Sequence, residues 1–140
     1  DGGKRIKGRK RHLLVDTLGL VLGVVVTPAS CPERQRGQAV LERVADWFLR
    51  LRRLWVDGGY TGEDFSGWVR EHWHRLQVEV VKRSDDLRGF VVLPRRWVVE
   101  RTFGCLMQHR RLVRDYERTE SSAEARIHLA MIRIQLRRLA

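Results

Sequence analysis

The chain reads as an α/β protein in which helices cover a mixed sheet. Three observations point there. Two β-branched-rich runs near the start are joined by a four-residue turn, the apolar period beyond them switches between strand and helix, and the chain closes on a long helix opened by a capping sequence. The resulting order, β-β-α-β-α-β-α-α, sets helices against a sheet around one core.

The segment from Asp1 to Arg11, DGGKRIKGRKR, is glycine-rich and basic. His12 to Val15 and Leu20 to Thr27 follow as strands, with Asp16-Thr17-Leu18-Gly19 as the turn of an antiparallel hairpin. The run TPASCPERQRG breaks the pattern at Pro28 and Pro32. From Gln38 to Leu49 the period is helical, with Leu41, Val44, Ala45 and Phe48 on one face. Leu54 to Asp57 is a short buried strand that ends in Gly58-Gly59. Phe65, Trp68, Val69 and His72 mark a second helix, and Leu76 to Val81 a further strand. Asp85 to Phe90 reads as a loop. Pro94 opens a third helix with Val99, Phe103 and Leu106 as its apolar stripe. Ser121-Ser122-Ala123-Glu124 is a capping box that starts the last helix. That helix carries Ile127, Met131 and Ile134 on one face and Arg126, Arg133 and Arg137 on another. No repeat or linker divides the chain, so residues 1–140 form one domain in this reading.

Composition narrows the function classes. Apolar residues make up 43% of the 140, and the longest apolar stretch, Leu18 to Val26, is interrupted by two glycines. It falls well short of the roughly 20 residues that span a membrane. The chain opens on charge, so no secretory signal is read, and its opening on Asp1 reads as a piece of a longer protein. A cytoplasmic protein is expected. Cys31 and Cys105 are far apart and form no CxxC, which argues against zinc and for free thiols. His72 and His74 point different ways on a helix, and a surface or capping role is expected of them. The five tryptophans, Trp47, Trp55, Trp68, Trp73 and Trp97, read as core. The net charge is +11, from 28 Lys and Arg against 17 Asp and Glu. That is the electrostatic footprint of a nucleic-acid binder, although an arginine-rich genome produces it too.

Two acids stand out. In LWVDGGY, Asp57 follows an apolar strand and precedes two glycines, at the strand end where ligands bind in open α/β sheets. An Asp before Gly-Gly is equally a common turn initiator. In RRWVVERTFGCL, Glu100 lies at the edge of a helix's apolar stripe, with Arg96 one turn earlier on the same face. Such pairs are routine on helices. Taken together the acids have more to offer. Hard divalent cations take carboxylate oxygens, and a two-metal site needs acids from separate elements meeting at one point.

KGRKRHLLVDTLGL, WVDGGY, GFVVLPRRWVVERTFG and the tail DYERTESSAEARIHLAMIRIQLRRLA resemble bacterial insertion-sequence transposases of the DDE class, insertion-sequence family five in particular. The resemblance covers essentially the whole chain. It implies an RNase-H-like mixed sheet flanked by helices, here lacking the first strand. It implies metal-assisted phosphodiester cleavage and strand transfer at insertion-sequence ends, with Asp57 as second and Glu100 as third catalytic acid. Two Mg²⁺ (or Mn²⁺) ions, held by these carboxylates, are the implied cofactor. Double-stranded DNA is the implied partner, bound by a homodimer in the nucleoid. Lys4, Arg5, Lys7, Arg9, Lys10 and Arg11, with Arg95 and Arg96, are the expected phosphate contacts. The chain departs from the family in three respects. No residue matches the first catalytic Asp, which belongs upstream of Asp1; Leu93 and Met107 stand where the family has Tyr and Lys; and the helical DNA-recognition part is absent. The 140 residues alone are therefore expected not to cleave DNA. Another RNase-H-like nuclease and a non-catalytic basic DNA-binding remnant remain as alternatives.

Overall fold

A computed structural model describes residues 8–31, 33–60, 63–81 and 96–139. Among the described residues four strands, β1 (Arg9–Val15), β2 (Val21–Pro28), β3 (Arg53–Val56) and β4 (Gln77–Val80), are interspersed with five helices. These are α1 (Glu33–Val44), α2 (Glu63–His72), α3 (Arg96–Met107), α4 (Arg110–Val113) and α5 (Glu120–Leu139), with a single 3₁₀ turn at Gly58–Tyr60. The loop expected at Asp85 to Phe90 and the Pro94 helix start lie outside the described residues.

The first hairpin forms where its turn chemistry requires. β1 and β2 run antiparallel with Leu13 opposite Val24. The Asp16 carboxylate accepts the N–H groups of Leu18 (2.9 Å) and Leu20 (2.8 Å), and the Gly19 N–H donates to Asp16 O (3.0 Å). Asp16 thus uses its side chain to close the turn. Gly19 has φ +80°, in the left-handed region that L side chains avoid. A Cβ there would also sit 2.8 Å from Thr102 Oγ1. Gly19→Ala should cost about 1–2 kcal/mol from the backbone alone, read as a lower midpoint in urea unfolding.

β3 and β4 pair in parallel, Leu54 opposite Val78, with α2 as the crossover between them. The described strands make two separate two-stranded sheets instead of one continuous mixed sheet. Successive residues of β1 point to opposite faces and serve two cores. Leu13 packs with Val24, Val26, Leu106, Ile127 and Met131, which join the hairpin to α3 and α5. Leu14 packs with Leu41, Leu54, Phe65, Val69 and Leu76, which join it to α1, α2 and the second sheet. Gly23 lets α1 approach closely, since a Cβ there would lie 2.5 Å from a Val44 methyl.

Several element boundaries differ from the expectation. α1 starts five residues earlier than Gln38 and stops at Val44, not Leu49. Leu41 and Val44 are buried as expected, but Trp47 and Leu49 are 82% and 77% exposed beyond the helix end. On α3 the buried positions are Val98, Thr102 and Leu106, while Val99 and Phe103 are half-buried. Leu106 is buried as expected, but the first two positions of the stripe shift by one residue, because the Thr102 hydroxyl sits 3.0 Å from Gly19 O and 2.9 Å from Val98 O and turns that face to the hairpin. α5 is capped by Thr119, not Ser121: Thr119 Oγ1 accepts the Ser122 N–H at 3.2 Å. Glu124 instead accepts the Val26 N–H at 3.0 Å and pairs with Arg43. The expected inner face of α5 stands, with Ile127 and Met131 buried and Ile134 partly so. Among the tryptophans, Trp55, Trp68 and Trp73 are half-buried, whereas Trp47 and Trp97 are exposed, so the core reading fails for those two. His72 and His74 are exposed, with the His72 ring stacked on Trp68. Both cysteines are free.

Candidate active site and nucleic-acid surface

Asp57 is the first residue after β3, at the C-terminal end of the parallel pair, and it is exposed. One carboxylate oxygen accepts the Gly59 N–H at 3.0 Å, and the Asp57 carbonyl accepts the Tyr60 N–H at 3.1 Å. The turn-initiating reading of this Asp is thus realised. Its second carboxylate oxygen has no hydrogen bond among the described residues, and nothing on the two following glycines obstructs an approach to it.

Glu100 lies in the first half of α3 and is also exposed. α3 packs on β1, α4 and α5. It is tied to the hairpin turn through Thr102 and through Arg101, which donates to Leu18 O at 2.9 Å. The Asp57 turn reaches the same strand differently, with Tyr60 Oη 3.5 Å from His12 Nδ1 in the middle of β1. The elements that carry the two acids thus each contact the β1–β2 hairpin, α3 at its turn and the Asp57 turn at the middle of β1. No group of three His, Cys, Asp or Glu arranged for a metal occurs among the described residues. Carboxylate oxygens are nonetheless the donor type that Mg²⁺ and Mn²⁺ take, and an exposed strand-end Asp with an uncommitted oxygen fits such an ion.

The basic run is placed only in part. Lys4, Arg5, Lys7 and Arg95 lie outside the described residues, as does the Arg96 side chain. Arg9 and Arg11 spend their forks within the fold. Arg9 Nε donates to Asp115 at 2.7 Å and the same guanidinium donates to Glu117 O, while Arg11 donates to Leu112 O at 2.9 Å. Both side chains fasten β1 to α4 and the segment before α5. Lys10, between them, is half-buried.

One polar cluster had no sequence signal. Arg36, in the polar opening of α1, is 2% exposed. It donates to Pro28 O at 3.2 Å, and its guanidinium lies 3.3 Å from His12 Nε2. Arginine can only donate, so its guanidinium presents N–H groups to His12 Nε2, while His12 Nδ1 faces Tyr60. The cluster links α1, β1 and the turn that bears Asp57. Its members are far apart in sequence and follow no period, and so are invisible to pattern reading.

His109 responds to the positive charge of α5. Burial first, then Arg133 and Arg137, hold its proton affinity below the ordinary imidazole value. The unfolded chain therefore binds more protons than the folded one as pH falls through about 6.5, and stability drops with it. Thermal midpoints should be lower at about pH 5.5 than at about pH 7.5, and His109→Gln should remove part of that difference.

Comparison with known proteins gives one match. The family model described as transposase DDE domain matches residues 1–136. No curated protein and no solved structure matches the chain. With nearly every residue inside that match, and an acid at the end of a parallel strand, the chain belongs to the transposase DDE domain family.

Proposed function

We propose that this chain is the greater part of a DNA transposase catalytic domain, from a bacterial insertion sequence of family five. In this reading it cleaves phosphodiester bonds and transfers strands at the ends of its element. The observation that carries the reading is the family match over residues 1–136. The geometry adds support. Among the described residues β1 pairs only with β2, and β3 only with β4. Yet Leu14 of β1 packs into the core built on β3, and Tyr60 reaches His12. A strand seated between β1 and β3 would merge the two sheets into one RNase-H-like sheet. Its end beside Asp57 is the place for the further acid that no residue here matches.

Asp57 and Glu100 would hold the two Mg²⁺ ions (or Mn²⁺) together with that acid. When bound, such ions supply positive charge at the attacking and leaving oxygens. The chain's own residues do the rest. The Gly59 N–H fixes one oxygen of Asp57 and leaves the other without a hydrogen bond among the described residues. Lysines and arginines of the N-terminal run, with Arg95 and Arg96, hold the DNA phosphates on either side of the scissile bond, where arginine forks suit phosphate oxygens. No helix among the described residues is long and apolar enough to cross a membrane, and the reading places the protein in the cytoplasm, at the nucleoid, as a homodimer on double-stranded DNA. The test is Mg²⁺-dependent cleavage of a DNA end by a chain extended upstream through the added strand, compared with its Asp57→Asn and Glu100→Gln variants. Cleavage unchanged by both substitutions would overturn the reading.

A further inference from the structure

α5 has two apolar faces. The inner one holds Ala123, Ile127, Ala130 and Met131, which are buried against the hairpin and α3. The outer one holds Leu129, Ile132, Leu136 and Leu139, which are 56%, 50%, 62% and 84% exposed. Their spacing is three, four and three residues. At 3.6 residues per turn the four side chains fall within an arc of about 80°, and a 3-4 alternation is the seam along which a second helix packs. Lone exposed leucines are ordinary on a surface, but a continuous row of four on one helix is not.

The borders of the row say what covers it. From Ala125 to Ala140 the sequence contains no acid and four arginines. Arg133 and Arg137 run along one side of the row and make no ion pair among the described residues. Their charge is felt at His109, whose proton affinity burial and then these two arginines depress. Arg126, on the same side, is already paired with Glu117 at 3.1 Å. His128 and Gln135 border the other side. A second copy packed antiparallel would bring Arg133 against arginines of its mate, and packed parallel it would offer only His128 and Gln135. Neither arrangement supplies a carboxylate. DNA would neutralise the arginines but would leave the leucines in water.

We propose that the outer face of α5 docks an amphipathic helix of a partner protein, one with apolar residues at 3-4 spacing and acidic residues flanking them. The apolar row sets the geometry and the arginines select the charge, which is how flanking residues choose partners in coiled coils. The surface is separate from the Asp57 and Glu100 region, and the proposal stands whether or not the chain cleaves DNA.

The experiment uses the 140-residue chain and two designed helical peptides. Both carry Leu at the seam positions, one with Glu and the other with Lys at the flanking positions. Isothermal titration should show the Glu peptide binding at least about tenfold more tightly than the Lys peptide, a margin of about 1.4 kcal/mol. Leu136→Glu should abolish binding. The pair Arg133→Glu and Arg137→Glu should reverse the preference between peptides. All these residues are exposed, so far-UV circular dichroism should report an unchanged fold. Equal binding of the two peptides, or no binding of either, would overturn the proposal. So would a dimer in sedimentation that Leu136→Glu dissolves, which would make the occupant a second copy. Weaker duplex-DNA binding on Leu136→Glu would make the occupant DNA and overturn it too.

Discussion

The chain extended upstream by an Asp-bearing strand should cleave DNA ends in Mg²⁺, while the 140 residues alone should bind DNA and leave it intact. The physical ground is coordination. A pair of hard cations needs several carboxylate oxygens at one point, and in the proposed reading Asp57 and Glu100 are two of those acids, one after a strand end and one on a helix. In the extended chain, Glu100→Gln swaps an anionic oxygen for a neutral amide at unchanged size. The loss of charge stabilisation is several kcal/mol, on the order of a thousandfold in rate. Asp57→Asn should cost as much. Asparagine can keep the turn, because its side-chain oxygen can still accept the Gly59 N–H that Asp57 now accepts at 3.0 Å. Thermal stability should therefore stay near that of the parent while cleavage is lost. Cleavage by the 140 residues alone would show that the first acid lies within them.

How much of this was legible in the sequence depended on how local the cause was. The β1–β2 hairpin was legible because Asp16 and Gly19 carry their own turn chemistry and the flanking residues are β-branched. β3, the Asp57 that follows it and α2 were legible because their patterns are local too. The bounds of α1 were not, because its first turn is polar and shows no period, while Phe48 and Leu49 continue an apolar pattern past the point where burial ends. The face of α3 was ambiguous because Val98 and Val99 are equally apolar. The decision belongs to Thr102, whose hydroxyl reaches Gly19 O across 83 residues. The cap of α5 fell to Thr119 although Ser121 has the better box, since Glu124 is engaged with β2 and α1. Charge misled in the same way. The basic run reads as a phosphate surface in the sequence, but nothing local revealed that Asp115, 106 residues on, takes Arg9 for the fold.

That last point changes the expected salt dependence of DNA binding. Each phosphate contact contributes a slope of about −0.9 to log affinity against log salt. Eight contacts, from Lys4, Arg5, Lys7, Arg9, Lys10, Arg11, Arg95 and Arg96, would give about −7.2. With Arg9 and Arg11 committed to Asp115, Glu117 and Leu112, at most six contacts remain and the slope should be no steeper than about −5.4. Between about 50 and 200 mM salt that is at most roughly a 2,000-fold loss of affinity, against about 20,000-fold for eight contacts. Fluorescence anisotropy with a labelled duplex at four or five salt concentrations separates the two. Single substitutions sharpen the distinction. Lys7→Ala should flatten the slope by about 0.9 and leave the melting midpoint alone. Arg9→Ala should do the reverse: the slope stays, and stability falls by about 1–3 kcal/mol because Asp115 and the Glu117 carbonyl lose a charged donor. A slope that flattens with Arg9→Ala would mean that Arg9 leaves Asp115 for the DNA. The bond to Asp115 would then be a resting position of that side chain and not its role.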